Sequence, residues 1–247
     1  MPDTRTRRGP HPQDRESFSR DQLPRLRQAV EDLSWLKAWG YPAKAALKLV
    51  GDRYALRERQ RRALQRCAAS EDECRLRGEK VVVVESLAEE AVIIDGYNVI
   101  LTLEAALSGG ILLLARDGVL RDLASLSGHY RKLEVTRPAV ELLVRALAES
   151  RVAAVECLLD RPISNSARLK ALIESVAEEV GASWRVRLSA RTDRELKHSN
   201  KIVASADSAI LDACGRWVNL ARELVEGRLD QAWIVDLREG ADTSSPR

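Results

Sequence analysis

Cysteine and histidine are scarce in this chain of 247 residues, which contains four cysteines and three histidines. The cysteines are scattered and form no Cys-x-x-Cys pair, so the sequence excludes a zinc ribbon and a disulfide scaffold. The histidines show no His-Glu-x-x-His spacing, which excludes a metalloprotease site of that type. Few and unpaired cysteines are typical of a reducing compartment, and we expect a cytoplasmic protein.

Long apolar segments are absent too. The longest apolar runs, at residues 81–84 and 111–115, have the length of β-strands, whereas a bilayer-spanning helix needs roughly 20 residues. The first 14 residues are basic but no apolar segment follows them, so they lack the pattern of a secretory signal. We therefore expect no membrane partner.

Several common catalytic motifs are missing. The sequence has no Gly-x-x-x-x-Gly-Lys-Ser/Thr loop, no Gly-x-Gly-x-x-Gly after an apolar run and no Gly-x-Ser-x-Gly. These absences argue against a P-loop NTPase, a dinucleotide-binding fold and a serine hydrolase. Asp95 is followed by Gly96 and Tyr97, so the Asp-x-Asp opening of haloacid-dehalogenase phosphatases is missing as well.

Charge is distributed unevenly along the chain, although the net charge is only +3. Residues 1–80 contain 19 Lys and Arg against 12 Asp and Glu, whereas residues 81–247 contain 21 against 25. A basic first part favours attraction of phosphates, and an acidic second part favours cation binding. An Arg-rich composition also arises in GC-rich genomes, but that does not explain where the arginines stand.

The first 80 residues have the pattern of a polar arm followed by helices. Residues 1–20 are polar and contain Pro and Gly, and we expect a mobile arm. Apolar side chains at steps of three and four then predict a helical basic domain over residues 21–79. Its last ten residues, 70–79, are charged and non-periodic, and we expect a linker there.

The third predicted helix, at residues 56–69, is covered by arginines. They form two ridges beside its apolar face and are candidate contacts for RNA phosphates: Arg57, Arg59, Arg61, Arg62 and Arg66. A solvated helix face and a docking helix for an acidic protein are the alternatives.

From residue 80 onward, short β-branched runs alternate with helix-length segments. This alternation predicts βαβ units and a mostly parallel sheet flanked by helices over residues 80–238, with a tail at 239–247. The expected fold class is therefore α/β, preceded by a small all-α basic domain.

An aspartate follows six of the apolar runs within a few residues: Asp95, Asp117, Asp160, Asp193, Asp207 and Asp236. Open α/β sheets bind ligands beyond the carboxyl ends of their strands, so neighbouring strands would bring several of these carboxylates together. Clustered carboxylates repel one another unless a cation neutralises them, and Mg²⁺ or Mn²⁺ is the expected ion. For each single aspartate, capping of the next helix is the alternative.

Three segments resemble a known nuclease family. Residues 92–99, Val-Ile-Ile-Asp-Gly-Tyr-Asn-Val, resemble the first-strand motif of PIN-like nucleases of the NYN branch, in which an aspartate ends the strand and an asparagine follows three residues later. Residues 202–208, Ile-Val-Ala-Ser-Ala-Asp-Ser, resemble the second signature of that branch. Residues 135–142 are similar to the helix that contributes a metal-binding glutamate.

The resemblance implies a PIN-like fold and a role for each matching residue. Asp95, Glu141 and Asp207 would be metal ligands. Asn98 would bind the scissile phosphate or orient Asp95. Residues 26–36 and 45–54 also resemble segments of the domain of unknown function 434 family, whose C-terminal half is PIN-like, and this resemblance extends over roughly residues 22–236.

One position departs from the NYN pattern. The branch has a second aspartate shortly after Asp207, where this chain has Ala209. Either Asp212 or Asp193 would supply the missing charge. We therefore include Asp193, with Asp95 and Asp207, among the expected metal ligands and catalytic residues.

The expected function is that of a metal-dependent endoribonuclease that cleaves RNA phosphodiesters. Two alternatives stay open at this point. One is a non-catalytic RNA-binding protein on a degenerate PIN-like fold, and the other is a protein-interaction module whose arginine helix docks an acidic partner. The sequence predicts no oligomeric state.

Overall fold

The computed structural model describes residues 9–123 and 134–241. The first part of the chain forms the helices α1 (Asp14–Ser17), α2 (Leu23–Ala38), α3 (Ala43–Arg53), α4 (Glu58–Cys67) and α5 (Glu71–Gly78). The second part contains β1 (Val81–Val82), β2 (Ala91–Asp95), α6 (Gly96–Leu107), β3 (Ile111–Leu114), β4 (Leu120–Asp122), α7 (Thr136–Glu149), β5 (Ala154–Asp160), α8 (Ser166–Glu179), β6 (Trp184–Ser189), α9 (Thr192–Lys197), β7 (Ile202–Ala204), α10 (Ser208–Ala213), β8 (Trp217–Val218), α11 (Leu220–Arg228) and β9 (Trp233–Asp236). No helix in these described ranges is long and apolar enough to cross a membrane.

Within the described residues, six strands form a parallel sheet in the order β1-β8-β7-β2-β5-β6. From β2 the chain builds β5 and β6 on one side, and it then returns to add β7 and β8 on the other. Val92, Ile93 and Ile94 of β2 are all buried, as a parallel strand covered by helices on both faces requires. The predicted fold class, an α/β region behind a helical front region, is confirmed.

The strands β3 and β9 do not join the parallel sheet. They form a second sheet with β4, in the order β4-β3-β9. The odd-numbered residues of Ile111–Leu114 pack against the front helices, and the even-numbered ones pack into the main core. Asp117, which follows β3, and Asp236, the last residue of β9, therefore do not lie at strand ends of the parallel sheet.

The front helices bury their apolar faces on this second sheet. Leu26 and Leu33 of α2 and Leu64 of α4 lie in one hydrophobic core with Leu113 and Val235. A helix that is apolar along one stripe must cover that stripe with another layer, and here the layer is the small sheet. The helical region and the α/β region consequently share a core.

The predicted mobile arm is partly ordered. Helix α1 lies inside it, and both Asp14 and Phe18 are buried, so the prediction is wrong for residues 14–20. Asp14 binds Arg59 of α4 through two hydrogen bonds of 2.5 and 2.8 Å. Residues 1–8 of the arm and 242–247 of the tail lie outside the described residues.

The predicted linker at residues 70–79 is also wrong, because most of it forms α5. Ser70 and Glu73 cap its N-terminus reciprocally, each side chain bonding the backbone N–H of the other. Its last turn carries Arg77, of which only 1% is exposed. The charged composition did not predict a helix, because the sequence does not show that Arg77 is buried in ion pairs with Asp117 and Asp212.

Candidate functional site

The carboxyl ends of β2 and β7 lie side by side, at the point where the order of strands reverses. Open α/β sheets bind ligands in the crevice beyond the strand ends at such a point. Asp95 is the last residue of β2, and Asp207 stands three residues after β7. The two sequence motifs that resemble the nuclease family therefore meet in one place.

Asp95 accepts hydrogen bonds from the first turn of α6 and from the loop after β7. It is the N-cap of α6, and its Oδ1 accepts a hydrogen bond from the backbone N–H of Asn98 at 3.4 Å. The hydroxyl of Ser205, just after β7, donates to Oδ2 at 2.8 Å. Only 9% of Asp95 is exposed. The carboxylate is therefore fixed in orientation at the sheet edge.

Gly96 allows α6 to begin directly against β5. A Cβ atom at this position would lie 2.6 Å from Cδ2 of Leu159 and 2.9 Å from the carbonyl oxygen of Leu158. Both distances are shorter than van der Waals contact, so a larger residue would push the helix away from the sheet. The Asp-Gly pair thus places a helix N-terminus and its capping carboxylate together at the candidate site.

The pKa of Asp95 is raised to about 7. Burial is the largest cause, because the ionised form loses its hydration. The negative charges of Asp160 and Asp207 raise the pKa further, whereas the hydrogen bonds from Ser205 and Asn98 lower it. The charges of two other carboxylates thus act on Asp95, and a group perturbed in this way is typical of a functional site.

Ser205 connects the two expected metal ligands. Its Oγ donates to Asp95 and accepts a hydrogen bond from the backbone N–H of Asp207 at 3.1 Å. Ser205 was not among the site residues predicted from the sequence, although its position two residues before Asp207 in the motif was a usable signal.

Asp207 is the N-cap of α10. Its Oδ1 accepts hydrogen bonds from the backbone N–H groups of Ala209 and Ile210 at 2.9 and 3.2 Å. The side chain is exposed, and no hydrogen bond within the described part of the chain occupies its Oδ2. Capping and metal binding are therefore compatible at Asp207, because they use different oxygens.

Asn98 joins the first turn of α6 to the loop after β7. Its Oδ1 accepts a hydrogen bond from the backbone N–H of Ala206 at 2.8 Å. Its side-chain amide group donates no hydrogen bond to the described residues, and the residue is half-buried. The predicted role in substrate binding stays a prediction, for which this amide group would be the donor.

Asp160 is the last residue of β5, the strand next to β2. It is half-buried, and its carboxylate has no hydrogen bond or ion pair with any residue that the structure describes. Its charge acts on Asp95. The sequence analysis recognised Asp160 as an aspartate that follows a strand but did not include it among the expected metal ligands.

Asp193 and Glu141 lie on helices beside the sheet. Asp193 is exposed in the first turn of α9, a helix that contacts β2, β5 and α10. Glu141 lies on α7 and forms an ion pair with Arg137 at 2.7 Å, and Arg137 also pairs with Glu179 of α8. Both assignments as metal ligands stay predictions, and Glu141 has an intrahelical partner of opposite charge.

The alternative ligand Asp212 is committed to a buried arginine. Arg77 of α5 donates through Nε to Oδ1 of Asp212 at 2.7 Å and through Nη1 to Oδ2 of Asp117 at 2.5 Å. Burial acts to raise the pKa of Asp117, but Arg121 and Arg77 hold it below its ordinary value. Asp212 therefore neutralises Arg77 and is poorly placed to replace the missing second aspartate.

Four of the five arginines predicted to form ridges on α4 are engaged in ion pairs. Arg57 pairs with Glu16 of α1, and Arg59 with the buried Asp14. The next two arginines pair with acidic residues of α3 and α4: Arg61 with Asp52 and Arg62 with Glu58. These contacts give the ridge a structural role, and its predicted contact with RNA stays a prediction.

The carboxylates of the site fit a divalent cation by charge. The described residues contain no group of three or more His, Cys, Asp or Glu side chains arranged to hold a metal ion. Mg²⁺ commonly uses only one or two carboxylates and takes its other ligands from water and substrate phosphates. Asp95 together with Asp160 or Asp207 is a donor set of that kind.

Comparisons with known proteins assign the chain to families. Residues 84–223 match a domain of unknown function, DUF5616, and residues 25–80 match a protein of unknown function, DUF434. The resemblance to the 434 family is thus confirmed for residues 25–80.

The chain is also 30% identical over 186 residues to the uncharacterized protein MJ0935 of Methanocaldococcus jannaschii. The aligned region covers 75% of this chain and 88% of that protein. No solved structure matches this chain. Because the match to DUF5616 at residues 84–223 spans more than half of the chain, the chain belongs to the DUF5616 family.

Proposed function

We propose that this protein is a metal-dependent ribonuclease of PIN-like type, which cleaves RNA phosphodiesters beside Asp95, Asp160 and Asp207. The observation that carries the proposal is Asp95 itself, buried at the switch point of the sheet with its pKa raised by burial and by the other two carboxylates. Like charges in such proximity cost free energy until a cation neutralises them. A cation would therefore offset the repulsion among the carboxylates at the ends of β2 and β5 and in the loop after β7.

A bound Mg²⁺ or Mn²⁺ would supply Lewis-acid stabilisation of the charge that develops on the phosphodiester. Asp95 would hold the ion through the carboxylate that Ser205 orients. Asp160 would contribute a carboxylate that has no other partner among the described residues, and Asp207 would contribute its Oδ2. The amide group of Asn98 would donate a hydrogen bond to a phosphate oxygen and so position the substrate.

A groove of about 640 Å³ between α8 and β6 supports an RNA substrate. Its charged lining residues are Arg161, which follows Asp160 in the chain, Lys170, Arg187 and one carboxylate, Glu174. Lys170 and Arg187 form ion pairs with glutamates, whereas Arg161 forms none within the described residues. A guanidinium without a carboxylate partner next to the site is suited to a phosphate of the substrate backbone.

A non-catalytic RNA-binding protein is the second candidate. It is favoured by one observation, namely that the described residues contain no group of three ligands ready to bind a metal. On this alternative, the crowded carboxylates would be a remnant of a nuclease site, and RNA would bind without being cleaved.

Incubation of the purified full chain with structured and unstructured RNA, in Mn²⁺ or in chelator, tests the proposal. We expect cleavage with Mn²⁺ and none with chelator. Asp95→Asn should reduce the rate by at least about 100-fold, the scale of losing one transition-state electrostatic contact. The matched control is Asp236→Asn, because Asp236 also ends a strand but in the second sheet.

Cleavage that survives in Asp95→Asn at the wild-type rate would overturn the assignment of the site. RNA binding without cleavage, under all metal conditions, would favour the non-catalytic alternative.

A further inference from the structure

The helical front region exposes large aromatic side chains around the turn between α2 and α3. Trp35, Trp39 and Tyr41 are 58%, 69% and 52% exposed. Trp35 and Trp39 are one helical turn apart on α2, their ring centroids are 5.5 Å apart, and their planes are inclined by 43°. Core packing does not account for three such side chains in water, and clustered exposure of this kind marks an interaction surface.

The segment from Trp35 to Val50, which carries these rings, is positively charged. Residues 35–50 contain Lys37, Lys44 and Lys48 and no Asp or Glu. Lys37 pairs with Glu73 and Lys48 with Asp52. Lys44 is exposed, three residues after Tyr41, and takes part in no ion pair within the described residues. The surface thus combines aromatic faces with an available cation.

This combination differs from the arginine ridge of α4. Arg59 and Arg61 are bound to carboxylates of the chain itself, so an incoming phosphate would have to displace them. Residues 35–50 contribute no competing carboxylate, and the nearest carboxylates along α2 are Asp32 and Glu31, about one helical turn before Trp35. Aromatic rings beside cations are the features that bind single-stranded nucleic acid, because every base has a face that stacks and every nucleotide has a phosphate.

We propose that Trp35 and Trp39 form a stacking platform for unpaired bases of an RNA strand, with Lys44 close to its phosphates. The choice of RNA rests on the proposed function, while the platform itself is a separate site from the carboxylates of Asp95 and Asp207. The positive local charge and the inclined, exposed rings favour a nucleic acid over an apolar protein helix. Substrates with an unpaired segment would bind more tightly than fully paired RNA.

Fluorescence anisotropy with labelled oligouridine and with an RNA duplex of equal length tests the platform. The measurements use the full chain carrying Asp95→Asn, so that no cleavage interferes. Trp35→Leu and Trp39→Leu should each weaken oligouridine binding at least about fivefold, since a stacked base contributes at least about 1 kcal/mol. Duplex binding should change less. Trp39→Phe, which keeps a ring, should retain most of the affinity.

Leu49→Ala is the matched control, because Leu49 is a 59% exposed apolar residue of the same segment without a ring. It should leave oligouridine binding unchanged. Lys44→Gln should lower the slope of log affinity against log salt by about 0.7, the value for one phosphate contact on a single strand.

Two results would overturn the platform. The first is unchanged oligouridine affinity in the double variant Trp35→Leu/Trp39→Leu with an unchanged melting temperature. The second is absence of oligouridine binding by the parent chain, which would favour a protein partner for the exposed rings. Absence of cleavage together with Trp-dependent binding would refute the proposed nuclease function and leave the platform supported.

Discussion

Arg121 of β4 reaches across to the loop that carries Asp207, where its Nε donates to the backbone carbonyl of Ala206 at 2.8 Å. The same guanidinium donates two hydrogen bonds of 2.7 Å to Asp117 and a further one of 3.2 Å to Ser208. Arg121 is 4% exposed. One buried side chain therefore connects the second sheet to the loop at the candidate site.

Replacement of this guanidinium should destabilise the fold and loosen the loop. In Arg121→Met the buried Asp117 keeps only Arg77 as a cationic partner, and the carbonyl of Ala206 loses its donor. We expect the free energy of unfolding to fall by about 3–5 kcal/mol, as when one partner of a buried ion pair is removed. Urea unfolding measures the loss, and hydrogen exchange at the amides of Ala206 and Asp207 should become faster than in the core strands.

Arg238→Met is the control for this prediction. Arg238 also binds a single aspartate, Asp236, to which its Nε and Nη2 donate, but its side chain is 42% exposed. Its loss should cost only about 0–1 kcal/mol. Equal costs in the two variants would contradict the role of Arg121 as a buried connector.

Stability should depend on the protonation of Asp95. Its folded pKa of about 7 lies above its ordinary value of 3.8, so between these values the folded state binds more protons than the unfolded state. The free energy of unfolding therefore falls as pH rises from about 4 to 7. Asp95→Asn removes this contribution, and the variant should be more stable than the wild type at pH 8 but not at pH 4, as measured by urea unfolding.

The control for this pH dependence is Asp193→Asn, since Asp193 is exposed. Its pH profile should follow that of the wild type. A profile of Asp95→Asn parallel to the wild type, in the absence of metal, would show that Asp95 is ionised in the folded protein without penalty.

Mn²⁺ should stabilise the protein if the carboxylates bind it. At about 100 times its dissociation constant, a ligand specific to the folded state contributes about 2.7 kcal/mol by mass action. We expect this gain in the wild type and in Asp236→Asn, a reduced gain in Asp160→Asn and no gain in Asp95→Asn. Thermal unfolding with a series of Mn²⁺ concentrations measures it, and an unresponsive wild-type melting temperature would argue against a metal site.

The arginines of α4 should separate into structural and surface residues. Arg59→Gln leaves the buried Asp14 without its charged partner and should cost about 1.5–3 kcal/mol, the range for hydrogen bonds to charged groups. Arg62→Gln removes an exposed intrahelical pair with Glu58 and should be nearly neutral. Urea unfolding compares the two costs.

RNA binding by the same ridge has a separate readout. If the arginines contact phosphates, Arg59→Gln, Arg62→Gln and Arg66→Gln together should lower the slope of log affinity against log salt by about two to three. An unchanged slope would confine the ridge to its structural role.

The sequence by itself determined the class of fold. The alternation of apolar runs with helical segments depends only on local periodicity, so it can be read from the sequence without knowing any long-range contact. Asp95 was identifiable as the residue that ends an apolar run, whereas Asn98 was selected because residues 92–99 resemble the NYN motif.

Tertiary structure alone decided which charges meet. Asp117, Asp160 and Asp236 all follow apolar runs, but only Asp160 ends a strand next to β2, because β3 and β9 pair in another sheet.

Contacts between distant segments also determined that Asp14 forms an ion pair with Arg59 and Asp212 with Arg77. Those contacts pack α1, where a mobile arm was predicted, and α5, where a linker was predicted, against the rest of the protein. Strand order and ion pairing depend on residues 40 to 140 positions apart, and the hydropathy pattern of a single chain does not encode which distant partner a charge will find.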